Sequence, residues 1–142
     1  MLRLMRPIFL VALVVTCSQA IASPGVYVYL ALYEYDPIGF TENYATACSS
    51  AHPQLADRLT NAFAIWKTRN TEAATKVAQA FDAEIRKKWP TEEEWRANID
   101  RIKQLQSEVA GDWSRVAESM TRCEELLEGL ETGKADVERV LK

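Results

Sequence analysis

The feature that most constrains the fold of this 142-residue chain is an apolar seam in its second half. Eleven apolar residues recur in steps of three or four positions, and their ten steps cover 35 residues. A mean step of 3.5 residues is typical of a coiled-coil seam, in which a helix presents one continuous apolar stripe to a neighbouring helix. The seam consists of Trp95, Ile99, Ile102, Leu105, Val109, Trp113, Val116, Met120, Cys123, Leu127 and Leu130.

A second apolar stripe precedes the seam and predicts its helical partner. This stripe runs from Leu55 to Trp89, and most of its steps are again of three or four residues. Pro90 ends it, because proline disfavours helix in the residue before it. Thr91 followed by Glu94 then matches a capping box, which marks the start of the next helix.

Two all-α arrangements fit these stripes. In the first, residues 54–89 and 91–131 form a long antiparallel helical hairpin. In the second, breaks at Asn70-Thr71 and Gly111-Asp112 fold the same chain into a short four-helix bundle. A chain reversal usually needs about two to eight loop residues. Neither break offers many, so the sequence favours the hairpin.

Two cysteines predict a covalent link between a short N-terminal helix and this helical body. Thr41 or Asn43 can cap a helix that contains Cys48 and ends by Pro53. Cys48 and Cys123 form an even pair, which in an exported chain usually becomes a disulfide. Closing their separation of 75 residues would contribute about 4 kcal/mol in the chain-entropy model. The alternative is two buried thiols.

The first 22 residues indicate export. Arg3 and Arg6 precede an apolar run at positions 8–15, and the small residues of Ala20-Ile21-Ala22 match a cleavage site after Ala22. The predicted domains are therefore a signal peptide at 1–22, a tyrosine-rich segment at 23–40 and a helical domain at 41–142.

Two other interpretations of the leader remain open. No charged residue occurs from Pro7 to Tyr33, so an uncleaved membrane anchor is one of them. A lipoprotein modified at Cys17 is the other. All three interpretations place the folded part outside the cytoplasm, in the periplasm or secreted, or anchored in the inner membrane and facing the periplasm.

The tyrosine-rich segment is the best candidate for a binding site. The β-branched and aromatic run at 26–30 favours an extended conformation. Tyrosine brings a large rigid contact area with a polar tip, which suits a surface for protein partners. We therefore expect Tyr27, Tyr29, Tyr33 and Tyr35 to form an extended binding segment. A core role for some of these tyrosines is the alternative.

Composition and motifs argue against most catalytic classes. The net charge of −3 disfavours a nucleic-acid partner, because such a protein needs a basic patch. A single histidine, His52, and the absence of nucleophile and phosphate-loop motifs predict no catalytic residue, no metal site and no cofactor. Trp66 lies at a core-type spacing and Asn70 lies on the second stripe, so we expect core packing for Trp66 and a structural role for Asn70 in fixing helix register. A polar pocket formed by Trp66, Arg69 and Asn70 is the alternative.

These observations predict an exported helical protein of the cell envelope that binds another envelope protein without catalysis. One alternative is a membrane-anchored coiled-coil adaptor that self-associates through its seam as a homodimer. An enzyme or a small-ligand carrier is a third class that stays open, although no motif supports it. A membrane contact is expected only if the leader is not cleaved.

Overall fold

The computed structural model describes the backbone of residues 24–141 and the side chains of residues 28–141. The predicted leader lies outside these residues. The described chain is all-α, as predicted, with a 3₁₀ turn at Pro53–Leu55 and no strand. Its helices are α1 Pro24–Tyr35, α2 Pro37–Ala51, α3 Ala56–Lys88, α4 Glu92–Ala117, α5 Met120–Thr132 and α6 Val137–Val140.

The two long helices α3 and α4 match the hairpin prediction in their continuity. Neither Asn70-Thr71 nor Gly111-Asp112 interrupts them. The predicted capping box is present, because the Thr91 hydroxyl accepts from the Glu94 amide at 3.2 Å. The predicted end of the second helix was wrong, since α4 stops at Ala117 instead of continuing to 131.

The break after α4 has a local cause. The Ser119 side chain accepts a hydrogen bond from the Arg122 amide at 3.4 Å and so caps a new helix, α5. A serine in this position competes with helix continuation through its own hydrogen bonds to the backbone. The new helix buries Cys123, Leu127 and Leu130 against α2 and α3.

The seam is covered by the N-terminal helices. Both α1 and α2 pack against both long helices. A direct contact between the long helices occurs near their turn, where the Trp95 indole nitrogen donates to Asp82 Oδ1 at 2.7 Å. The large ring of Trp113 on α4 packs instead against Phe40 and Tyr44 of α2. Bulky seam residues thus find their partners on shorter helices.

The prediction of an extended segment at 23–40 was wrong. Residues Pro24–Tyr35 form α1, and α2 begins at Pro37 after a single linking residue. Strand propensity depends on context, and burial of a helical face outweighs it here. Leu32 and Tyr33 of α1 are both buried. Asp36 caps α2, because its carboxylate accepts from the Gly39 amide at 2.9 Å.

The predicted disulfide between Cys48 and Cys123 is present. It joins α2 to α5, and both cysteines are fully buried with their Cα atoms 5.5 Å apart. Disulfides of this kind form and persist in oxidising compartments. None of the described helices is both long enough and apolar enough to cross a membrane.

Candidate functional site

An apolar groove lies where α1 and α2 meet α5 and the segment that follows it. Its volume is about 320 Å³, at the lower end of the range of about 300–1,000 Å³ typical of ligand sites. We call it the aromatic groove. It is lined by Tyr29, Leu30, Tyr33, Phe40, Thr41, Tyr44, Leu126, Ala135 and Val140.

The rim of the aromatic groove carries exposed apolar side chains. Leu30 is 43% exposed and Val140 is 49% exposed. Among the described residues one further large apolar side chain is exposed, namely Ile65 on α3 at 64%, which does not line the groove. Exposed apolar side chains that border an apolar depression are typical of a binding surface, whereas a single one elsewhere is ordinary.

A cluster of aromatic rings shapes the groove. Phe40 packs edge-to-face against Tyr33 and Trp113, with ring centroids 5.4 and 4.8 Å apart. Tyr44 stacks on Trp113 at 5.2 Å. Such pairs restrict the rings to defined orientations, so the wall that they form is largely preorganised.

Three groove tyrosines differ in how their hydroxyls are satisfied. The Tyr29 hydroxyl donates to Asp112 Oδ2 at 3.0 Å, and the Tyr44 hydroxyl donates to the Arg122 carbonyl at 3.3 Å. The Tyr33 hydroxyl is buried and has no hydrogen-bond partner among the described residues. Burial, together with the nearby charge of Asp136, raises the pKa of Tyr33 to about 12. The neutral phenol therefore persists far into alkaline pH.

The place of the alternative polar pocket around Trp66, Arg69 and Asn70 is occupied by the chain itself. The Trp66 indole nitrogen donates to the Ala135 carbonyl at 3.0 Å. Arg69 donates to both carboxylate oxygens of Asp136, at 2.8 to 3.1 Å. Hydrogen bonds from Arg69, and then from Asn70, lower the pKa of Asp136. These side chains hold the segment after α5 against α3.

Asn70 completes this attachment from a buried position. Its amide nitrogen donates to Asp136 Oδ1 at 3.0 Å, and its amide oxygen accepts from the Val137 amide at 2.9 Å. A buried asparagine on an apolar stripe thus satisfies a buried backbone group, which would otherwise destabilise the fold. Trp66, Arg69 and Asn70 have a structural role that also positions one wall of the aromatic groove.

The predicted binding tyrosines divide into three groups. Tyr29 and Tyr33 line the aromatic groove, but from a helix and not from an extended segment. Tyr35 packs instead on Phe81, with ring centroids 6.4 Å apart. The side chain of Tyr27 lies outside the described ones. Their role in binding stays a prediction.

Sequence reasoning missed the rest of the groove. Phe40, Tyr44, Leu126 and Val140 come from three different helices, and no local pattern joins them. The signal that could have found part of it is the apolar Leu126, which lies beside the seam residue Leu127 and widens the stripe. A stripe wider than the seam indicates that α5 contacts more than one neighbour.

Several other polar side chains also bind within the chain. His52 Nε2 lies 2.7 Å from the Ala117 carbonyl, a distance that fits donation to the last turn of α4. Glu131 forms a bridge to Arg58 at 2.9 Å, and Glu128 pairs with Lys134. Within residues 24–141 no group of three or more potential ligands is placed to hold a metal ion.

No protein-family model matches the chain, and neither a curated protein nor a solved structure matches it.

Proposed function

We propose that this chain is an exported protein of the cell envelope that binds an apolar segment of another envelope protein in its aromatic groove, without catalysis. The observation that carries the proposal is the groove with its exposed apolar rim. Leu30 and Val140 border it from α1 and α6, and the aromatic rings between them supply an apolar floor. Covering such side chains is favourable because it removes apolar area from water.

The size of the groove suits side chains of a partner segment. An amphipathic helix docks by inserting apolar anchors spaced three or four residues apart into a depression of this kind. Tyr29 and Tyr44 place their hydroxyls in intramolecular hydrogen bonds, so the polar tips are satisfied before a partner arrives. The partner therefore needs to supply mainly apolar contact.

Location in the periplasm or outside the cell is supported by two features. The sequence at 1–22 has the charge, the apolar run and the small residues of a cleavable leader. The disulfide is of the kind kept in oxidising compartments. If cleavage follows Ala22, the mature chain begins at Ser23, directly before α1 at Pro24.

The test compares charge insertion at the groove with charge insertion elsewhere. Leu30→Glu and Val140→Glu each place a carboxylate on the rim, whereas Ile65→Glu places one on an exposed apolar site of α3. The purified chain from Ser23 is used to capture envelope proteins and, separately, to bind the apolar dye anilinonaphthalene sulfonate. We expect both rim variants to weaken binding by at least about ten-fold, because each removes roughly one buried aliphatic side chain. Ile65→Glu should bind like the wild type.

Equal capture and equal dye binding by all four proteins would contradict the proposal. The adaptor alternative has its own test, the mass of the purified protein by sedimentation. The structure offers that alternative little surface, since Ile99, Ile102, Val109 and Trp113 of the seam are buried within one chain. A mass near twice that of one chain, unchanged by Leu30→Glu, would favour it.

A further inference from the structure

The segment that follows α5 is one wall of the aromatic groove. We call residues 133–141 the strap. It leaves α5 at Gly133, whose φ of 78° is the left-handed conformation that glycine adopts without strain. Ala135 and Val140 of the strap line the groove. Displacing the strap would therefore remove part of the binding surface.

The strap has little structure of its own. Its helix, α6, spans only the four residues Val137–Val140, which is too short to be stable in isolation. Val137 is its one fully buried side chain, while Val140 remains half-exposed. Segments that bury few apolar side chains open more readily than the core to which they attach.

The attachment of the strap to α3 is concentrated at one place. Trp66 holds the Ala135 carbonyl, Arg69 holds the Asp136 carboxylate, and Asn70 holds the Val137 amide. All three side chains lie within little more than one turn of α3. Hydrogen bonds so close together form and break jointly.

The core beneath the strap contains an uncompensated polar group. The buried Tyr33 hydroxyl finds no partner while the strap is closed, although it lies close enough to Asp136 to feel its charge. Hydration of this hydroxyl in an open state would offset part of the free energy that opening costs. The closed state is thus less favoured than its hydrogen bonds alone suggest.

We propose that the strap opens about Gly133 while the rest of the protein stays folded, and that an occupant of the aromatic groove holds it closed. The second half of this proposal rests on the proposed function. An occupant that touches Ala135 and Val140 binds the closed state better than the open one. The occupant then shifts the population towards the closed state, by an amount set by the ratio of its affinities for the closed and the open states.

Hydrogen exchange of single amides tests the opening. The Val137 amide, which donates to Asn70, should exchange faster than the Trp66 amide on α3. Its exchange rate should change little with low concentrations of denaturant, because local opening exposes little surface. Asp136→Ala removes an ion pair that opening breaks, so it should accelerate Val137 exchange by about ten-fold.

Glu131→Ala is the matched control. It also removes an arginine–carboxylate pair, the Arg58 bridge, but this pair joins α3 to α5 and survives opening of the strap. It should leave Val137 exchange unchanged. Exchange of Val137 at the rate of Trp66, with equal acceleration by both variants, would show that the strap leaves only on global unfolding and would overturn the proposal.

Anilinonaphthalene sulfonate tests the coupling in the same samples. At about ten times its Kd, a dye held in the groove should slow Val137 exchange by about ten-fold. Dye that binds in a manner sensitive to Leu30→Glu, yet leaves Val137 exchange unchanged, overturns the coupling and leaves the proposed function standing. If Val137 exchanges independently of the core but no dye binds, the opening of the strap is supported and the proposed function is contradicted.

Discussion

Replacing Tyr33 by phenylalanine tests the packing beneath the groove, because it deletes one oxygen and keeps the ring. Tyr33 is 7% exposed, and its hydroxyl has no hydrogen-bond partner among the described residues. Burying a hydroxyl without a partner costs about 1–3 kcal/mol. The small cavity left by the deleted oxygen destabilises the variant by only a few tenths of a kcal/mol. We therefore expect Tyr33→Phe to raise the free energy of unfolding by about 1–2 kcal/mol.

Urea unfolding followed by circular dichroism measures this change. With an m-value of about 1–3 kcal/mol/M, the midpoint should rise by roughly 0.3–2 M at an unchanged slope. Tyr29→Phe is the matched control, since the Tyr29 hydroxyl donates to Asp112 at 3.0 Å. That substitution should lower stability by about 0.5–1.5 kcal/mol. If both substitutions lower stability by similar amounts, the account of Tyr33 is refuted.

The wild type and Tyr33→Phe should also differ in how their stability changes in alkaline solution. The pKa of Tyr33 is raised to about 12 in the folded state, first by burial and then by Asp136, against about 10 in the unfolded chain. Because the folded state holds the phenol proton more tightly than the unfolded chain does, the free energy of unfolding falls as the pH rises from about 10 through about 12. Tyr33→Phe should lack this part of the alkaline loss, which the tyrosinate absorbance and the unfolding midpoint report together.

Three further outcomes follow from interactions elsewhere in the fold. Reducing the Cys48–Cys123 disulfide should lower the free energy of unfolding by about 4 kcal/mol, measured by urea unfolding with and without reductant, and a loss under about 1 kcal/mol would contradict this. Arg69 holds the pKa of Asp136 below its usual range. The ionised Asp136 therefore stabilises the fold above about pH 4, and this stabilisation is lost as the pH falls further. In an Asp136→Asn variant, the free energy of unfolding should fall less steeply at acid pH. Thr91→Ala removes the capping box of α4 and should cost about 1 kcal/mol, visible as a lower Tm.

The long helices could be predicted because their signals are local. The steps from Trp95 to Val116 and the capping box at Thr91 are read from neighbours in the sequence, and both reappear in α4. The steps from Met120 to Leu130 belong to the separate helix α5. The pairing of Cys48 with Cys123 could be predicted as well, because few cysteines leave few pairings.

The errors have a different physical origin. The run at 26–30 favours a strand locally, but the helix buries the adjacent Leu32 and Tyr33 in two different core clusters, and this burial outweighs strand propensity. The strap was not predicted because its hydrogen bonds span 66 to 69 residues of sequence. Asn70 interrupted an apolar stripe, yet nothing local indicates that its partner is the Val137 amide. The candidate site assembles from such long-range interactions, so it could not be read from periodicity.

The covering of the seam explains why a groove exists at all. A coiled-coil stripe that met only another long helix would leave a narrow, continuous interface. Trp113 is instead covered by Phe40 and Tyr44, so aromatic residues of α2 serve the core on one side and the groove on the other. The groove walls are therefore also core elements, and a ligand that binds only the folded state must raise stability by RT ln(1 + L/Kd), where L is its free concentration. Binding at this site should thus be detectable as a rise in Tm before any partner is identified.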